Sequence, residues 1–173
     1  MPEVLALAPV TGGMNLIVQE TEQIKLGLTP GAFHLFEQEE MEIYKNRLLD
    51  LVGELPSPGG GGSVANTLEL LARLGLSCGV FGLAGKDDYG RIFASRFQRY
   101  SIRMMNDFIS DARTGYDFYL ETKEGLRTIL YSHGVNACFG PEHLDGEAIQ
   151  KAKLLIVDGG FCLRRVSMQG RLL

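Results

Sequence analysis

The sequence predicts an α/β fold, a parallel sheet flanked by helices with an antiparallel portion near Tyr116–Ser132. Three observations carry this. Val4–Ala8, Ser77–Ala84 and Leu154–Val157 are short apolar runs without polar alternation, as strands covered on both faces are. Segments with apolar residues at helical spacing lie between them. Two runs rich in Tyr, Phe, Thr and Ile, Tyr116–Glu121 and Thr128–Ser132, flank Lys123-Glu124-Gly125, a good hairpin reversal.

Taken in order, Val4–Ala8 reads as a buried strand, Thr11-Gly12-Gly13 breaks it, and Met14–Gln19 resumes the strand pattern. Thr29-Pro30-Gly31 is a turn. Phe36–Val52 has helical periodicity through Met41, Tyr44, Leu48 and Leu51. Pro58 and the glycines 59–62 then lead into a helix with Ser63 as its N-cap, an apolar stripe of Leu68, Leu71, Ala72 and Leu74, and Gly75 as its stop. Ser77–Ala84 is an interior strand, and Asp87-Asp88-Tyr89-Gly90 opens a helix through Phe93, Phe97 and Tyr100. Ile102–Phe108 is a further strand candidate, followed by the hairpin runs. Pro141–Leu144 and Gly146–Ala152 start two short helical pieces, and Leu154–Val157 is a strand ending at Asp158-Gly159-Gly160. The remaining stretch carries Arg164, Arg165 and Arg171 and no acid; Arg164-Arg165-Val166-Ser167 fits a basic phosphorylation motif of a kind common by chance.

The bulk properties exclude several classes. A chain of 173 residues supports one domain with a substantial core. A formal net charge of −4 gives no reason to expect a nucleic-acid partner. Cys78, Cys138 and Cys162 are odd in number and widely spaced, which fits reduced thiols in a cytoplasmic protein rather than a disulfide framework or zinc site. The run from Val4 to Val10 is short, lacks a basic flank and contains Pro9, so it is neither a signal peptide nor a membrane span. His34, His133 and His143 have no metal-ligand spacing, and no metal ligands are expected.

The glycine run is the candidate site. Four successive glycines let a ligand approach bare backbone N–H groups at the positive end of a helix, and Asn66 lies one turn inside with an amide that both donates and accepts. This suits a polyhydroxylated or anionic small molecule; a flexible linker would have the same composition. Two nucleotide motifs fail. Around Gly85-Lys86, Val80 stands where a Walker loop needs glycine and Asp87 where it needs a hydroxyl, and no G-x-G-x-x-G follows the first strand. Asp87 and Asp88 read as helix caps rather than an acid–base pair.

The run Gly61-Gly62-Ser63-Val64-Ala65-Asn66-Thr67 with Ala72-Arg73-Leu74-Gly75 resembles the first signature of the ribokinase-like, or PfkB, carbohydrate and nucleoside kinases. Gly82-Leu83-Ala84-Gly85-Lys86-Asp87-Asp88-Tyr89-Gly90 is similar to the family's "G-x-x-G-x-D-x-x-G" segment. Thr114-Gly115 with Gly125-Leu126-Arg127-Thr128 resembles its "TG…DGERT" hairpin, and Asn136-Ala137 with Pro141-Glu142-His143-Leu144-Asp145 its "NA-x-L-x-PEDLD" stretch. Leu26–Gly31 leans towards the adenosine-kinase-like branch. The likeness runs from about Val4 to Gly160.

The resemblance implies a ribokinase-like α/β domain with a small β lid, and ATP-dependent phosphoryl transfer to a hydroxyl of a small-molecule sugar or nucleoside. It implies substrate contacts at Thr11, Asn15, Gly61, Gly62 and Asn66. The family usually has aspartate where this chain has Asn15. Its catalytic aspartate and anion hole lie in a C-terminal half, and this chain has no "GAGD" segment. Residues 1–160 are therefore expected to form the N-terminal, substrate-binding part of such a kinase, with 161–173 a divergent or disordered tail. No catalytic residue is expected in this chain, and neither ATP nor Mg2+ is expected to bind it tightly alone. The alternative is a non-catalytic ligand-binding or interaction protein derived from such a kinase. Self-association through the lid or an exposed sheet edge is expected, with no membrane partner.

Overall fold

The computed structural model describes residues 1–159. In chain order the elements are β1 (Val4–Leu7), β2 (Thr11–Ile17), α1 (Glu20–Lys25), β3 (Phe33–Leu35), α2 (Gln38–Val52), β4 (Gly59–Gly60), α3 (Ser63–Arg73), β5 (Cys78–Phe81), α4 (Asp88–Arg99), β6 (Arg103–Met104), β7 (Thr114–Glu121), β8 (Arg127–Gly134), α5 (Gly146–Lys151) and β9 (Leu154–Val157). Single 3-10 turns at Val135–Cys138 and Pro141–His143 separate β8 from α5. The expectations for 161–173 and for the Arg164–Ser167 motif lie outside the described residues.

The strands form two sheets. One is all parallel in the order β6-β5-β1-β9. Its side chains alternate between two helical layers. Val4, Ala6 and Val80 pack with Leu68 of α3 and Phe93 and Phe97 of α4, while Leu5 and Phe81 pack with Ala148 of α5. Burial on both faces explains why these strands read as unbroken apolar runs. Each fully buried Leu or Phe contributes about 1.5–3 kcal/mol. β9 is the edge of this sheet among the described residues, with Leu154, Leu155 and Val157 exposed along it.

The other sheet is mixed, in the order β3-β8-β7-β2-β4. Here the hairpin expectation holds: β7 and β8 are antiparallel, closed by Gly125 N–H to the Thr122 carbonyl with Gly125 at φ 88°, and they lie outside the parallel sheet. One face is apolar. Met14, Leu16, Phe118, Leu120 and Leu130 pack against Met41 and Leu48 of α2.

Several sequence expectations are corrected. Thr11-Gly12-Gly13 is not a break but the start of β2, pairing Gly12 with Gly60 on one side and Tyr116 on the other. The glycine is needed there because a Cβ on Gly12 would lie 2.6 Å from the Tyr89 ring. Ser63 is the first helical residue and Gly62 the N-cap; the backbone at Gly62 has φ 98°, ψ 150°, which a side-chained residue rarely adopts. Leu74 leaves the apolar stripe because α3 has ended, and it is exposed. Gly75 does end the helix: Leu76 N–H reaches the Leu71 carbonyl and Gly75 N–H that of Ala72, a Schellman motif.

α2 begins at Gln38 rather than Phe36. Phe36 N–H extends the β3–β8 pairing to the Tyr131 carbonyl, and the Glu37 N–H is capped by the Glu40 carboxylate. The strand expected at Ile102–Phe108 is only Arg103–Met104. Asn106 turns away to accept from Gly82 N–H and donate to the His143 carbonyl. α1 was not expected. It is six residues long, and its one buried side chain is polar: Gln23 donates to the Val18 carbonyl and accepts from the Thr128 hydroxyl.

Two buried polar groups fasten the pieces. The Asn136 carboxamide accepts from the N–H groups of Val10 (3.2 Å) and Leu83 (2.9 Å) and donates to the carbonyls of Val10 (2.9 Å) and His133 (3.3 Å). It thereby ties the chain leaving β1, the chain leaving β5 and the end of β8. Asp87 caps α4 by accepting from Gly90 N–H, and it also accepts from both the hydroxyl (2.6 Å) and the N–H (2.7 Å) of Thr114 at the start of β7.

Replacing Asn136 with Ala would strand two buried N–H groups as well as a carbonyl pair. Asn136→Ala is expected to lower unfolding free energy by about 2–5 kcal/mol in urea titration. A loss within about 0.5 kcal/mol would show that the clamp is not what joins the sheets.

Candidate functional site

The mixed sheet has two unlike faces. Met14 and Leu16 of β2 point to α2, so Thr11, Gly13 and Asn15 face the other way, with Asp117 and Tyr119 of β7 and Tyr131 and His133 of β8. That face is polar and looks towards the C-terminal end of the parallel sheet, where Asp158, following β9, is close enough to bear on Tyr131. The cleft between them is where an open parallel sheet binds ligands.

The glycine run forms the floor at one end. Gly59 and Gly60 pair with Gly13 and Gly12, and Gly61 N–H donates to the Thr11 carbonyl at 3.3 Å. The run is thus an ordered edge strand, not a linker. From Gly62 the chain enters α3, whose first N–H groups have no intrahelical acceptors and carry the helix's positive end.

The structure brings together Thr11, Gly61 and Gly62. Asn15 is exposed four residues further along β2, about 13 Å from Thr11 at strand rise, beside a cavity of about 400 Å³ shared with the loop at Glu54–Ser57. Asn66 is exposed on α3 and its Oδ1 accepts from Arg96 Nη2 at 2.7 Å. Arg96 also binds the Glu69 carboxylate through Nε (2.9 Å) and Nη2 (2.6 Å), which joins α3 to α4 and holds the Glu69 carboxyl below its usual range. With its oxygen so held, Asn66 presents its NH2 elsewhere.

A cavity of about 840 Å³ lies near Gly59 but on the Tyr89 side of β2, lined by Lys45, Arg91, Arg96 and Arg99. Arg91 pairs with Asp88, Arg96 with Glu69, and Lys45 with Glu42 while lying over the Tyr89 ring. It lies behind the sheet from the polar face, so it is no part of the cleft. Among the described residues no group of three His, Cys, Asp or Glu side chains is placed to hold a metal ion.

One residue of the cleft was missed by sequence reasoning. Asp117 is buried between Gly13 and Tyr131 in register, and its Oδ1 has no hydrogen-bond partner. Burial pushes its carboxyl up to about 6, eased by the hydroxyls of Tyr119 and Thr11. Burial, then Asp117 itself, pushes the Tyr119 phenol up, and burial, Asp117 and Asp158 do the same to Tyr131, so both phenols are donors at neutral pH. The signal in the sequence was an aspartate inside an aromatic strand, where aspartate is disfavoured.

The linkage has a definite sign. An unfolded chain ionises Asp117 near pH 4, whereas the fold resists ionisation up to about 6. The stability this contributes is whole below pH 4 and lost as pH rises through about 6. Relative to wild type, Asp117→Asn is expected to gain about 3 kcal/mol between pH 3.5 and pH 7.5, two pH units at about 1.4 each. Urea titrations at the two pH values check this; an equal difference at both would show no such linkage.

Comparison with known proteins bears on the family and the fold. Residues 54–169 match the family model described as pfkB family carbohydrate kinase. Over 94 residues the chain is 32% identical to an ATP-dependent ribose-1-phosphate kinase of Halopiger xanaduensis, covering 54% of this chain and 32% of the relative. It is 29% identical over 94 residues to an uncharacterized sugar kinase of Archaeoglobus fulgidus, covering 53% and 37%. Among solved structures, a probable sugar kinase from Rhizobium etli superposes with a TM-score of 0.82 at 22% identity, covering 95% of this chain and 49% of that one. Adenosine kinase from Sinorhizobium meliloti gives 0.78 at 20%, covering 92% and 47%. The chain thus spans about a third of the curated relatives and about half of the solved structures. These likenesses show the ribokinase-like fold, a helix-flanked parallel sheet with a small β lid, the mixed sheet being the lid. With its glycine run, its capped α4 and its Asn136 clamp all inside or beside the matched region, the chain belongs to the PfkB family of carbohydrate kinases.

Proposed function

We propose that this chain forms the acceptor-binding part of a kinase that transfers a phosphoryl group from ATP to a hydroxyl of a sugar or nucleoside. The observation that carries this reading is the junction of the glycine run with β2. Bare backbone at Gly61 and Gly62, the start of α3 and the polar face of the lid meet in one cleft. A sugar has a hydroxyl on nearly every carbon, and such a cleft offers it donors from backbone N–H and phenols and acceptors from carbonyl and carboxylate.

In this reading Gly61 and Gly62 let the acceptor lie against the backbone, Thr11 borders it at the lid, and Asn66 supplies its amide NH2. Asn15 meets the part of the ligand that projects along β2. The named relative acts on ribose 1-phosphate; an acceptor with an anionic group would place it at the start of α3, where the helix end favours negative charge. The donor nucleotide is ATP, with Mg2+ the ion expected beside it. The described residues offer no ligand cluster for that ion, so their part is to bind and orient the acceptor and exclude water from it. Turnover by 1–173 alone is not expected, since no "GAGD" segment is in the sequence.

Calorimetric titration with adenosine, D-ribose and ribose 1-phosphate tests the reading. At least one is expected to bind, and Asn66→Ala to weaken it by about 0.5–1.5 kcal/mol, one hydrogen bond. Leu70→Ala, on the exposed side of α3, is expected to change nothing. Binding of none of the three, or identical affinity for the Asn66 variant, would overturn the assignment of that site.

A further inference from the structure

Resting on that reading, we propose that Asp117 selects the acceptor by taking a hydrogen bond at Oδ1 from a ligand hydroxyl lying over Gly13. Asp117 is 2% exposed and its Oδ1 has no hydrogen-bond partner. A carboxylate is acceptor-only when ionised, so a buried one with an unmatched oxygen is satisfied only by a donor brought to it. The path to that oxygen is over Gly13. Oδ1 is itself enclosed, and a Cβ built on Gly13 would lie 3.4 Å from it and 3.2 Å from the Tyr119 ring, so a ligand hydroxyl reaches it by settling onto the bare glycine.

The surroundings decide which donor. The groups that ease the burial of Asp117 are the Tyr119 hydroxyl, its own backbone N–H and the Thr11 hydroxyl, and no cation contributes. The titratable and charged side chains on this face are Tyr119 and Glu121 on its own strand, Tyr131, the edge-on His133 and Arg127 of β8, the last paired with Glu121 and lying over the Tyr119 ring, and Asp158 after β9. β2 presents Thr11, Gly13, Asn15 and Ile17, none of them charged. With the buried Asp117 carboxyl at this end and no cation acting on it, an anionic group is repelled, and a neutral hydroxyl is the donor that fits. The cleft then has a polarity: hydroxyls towards the lid, any anionic group towards α3. A site with a buried acceptor rejects a ligand lacking the matching hydroxyl more strongly than an apolar pocket rejects a misfit.

Calorimetry with D-ribose and adenosine at pH 5.0 and 7.5 tests this on wild type, Asp117→Asn and Gly13→Ala. For whichever probe binds, wild-type affinity is expected to rise about tenfold from pH 5.0 to 7.5 as a carboxyl titrating near 6 ionises. Asp117→Asn is expected to lose that pH dependence and bind about tenfold more weakly at pH 7.5. Its melting temperature should be no lower than wild type's, which separates ligand recognition from a structural role. Gly13→Ala, which sets a methyl between ligand and Oδ1, is expected to weaken binding at both pH values. Wild-type affinity that is flat with pH, or an Asp117→Asn variant matching wild type at both, would overturn the proposal while leaving the acceptor reading in place. Binding of neither probe, but of ribose 1-phosphate, would also overturn it, since Asp117 would then not be selecting the neutral acceptor. Binding of none of the three removes the acceptor reading itself.

Discussion

The Asn136 carboxamide is the constraint on which the relation between the two sheets depends. The parallel sheet and the lid share no strand, so their relative placement must come from the segments that cross between them. One buried side chain, using both lone pairs and both N–H bonds, holds three of those crossings. No residue but Asn or Gln offers two donors and an acceptor on a planar head, and Gln would carry that head one methylene too far. Apolar contact alone would permit sliding; directional bonds between backbone groups of Val10, Leu83 and His133 do not.

Asp87 and Thr114 repeat the device on the other side of the cleft. Thr114 donates its N–H and hydroxyl to Asp87 and accepts from Gly85 N–H. The loop after β5, the start of α4 and the start of β7 are therefore one polar unit. This explains why the "G-x-x-G-x-D-x-x-G" and "TG" segments accompany one another in sequence. They are halves of a single joint, and neither set of hydrogen bonds closes without the other.

What was legible in the sequence follows from how local its cause is. The β7–β8 hairpin was legible because reversal at Gly125 and the character of the flanking runs are local properties. The interior strands were legible because burial on both faces leaves no polar residue to confuse the pattern. β2 was misread at its start. Glycines usually punctuate, and only the approach of Tyr89, more than seventy residues away in sequence, shows that Gly12 is there for close packing. α1 was overlooked because six residues with a single apolar one, the exposed Ile24, carry no amphipathic period; what holds it is Gln23 reaching Thr128 across the fold. In the candidate site, the glycines were proposed from the access they give to bare backbone and Thr11 from the family resemblance. Asp117 was not, because its meaning depends on what surrounds it and not on its neighbours in the chain.

The two faces of the lid differ in what stabilises them, and this bears on how the cleft works. The α2 face is a closed apolar core that contributes through area removed from water. The opposite face contributes little by burial, and in Asp117 it holds a group whose burial opposes folding at neutral pH. Such a group persists at a cost that evolution could remove with a single substitution to an apolar residue. The same is true of Gly13 and its partner Gly59, which give up side-chain packing on this face of the strand pair. Gly12 makes room for the Tyr89 ring behind the sheet, whereas Gly13 and Asp117 lie together on the side that looks onto the ends of the parallel strands. Stability lost locally and in register with a cleft is the physical mark of a surface shaped for a ligand rather than for the fold.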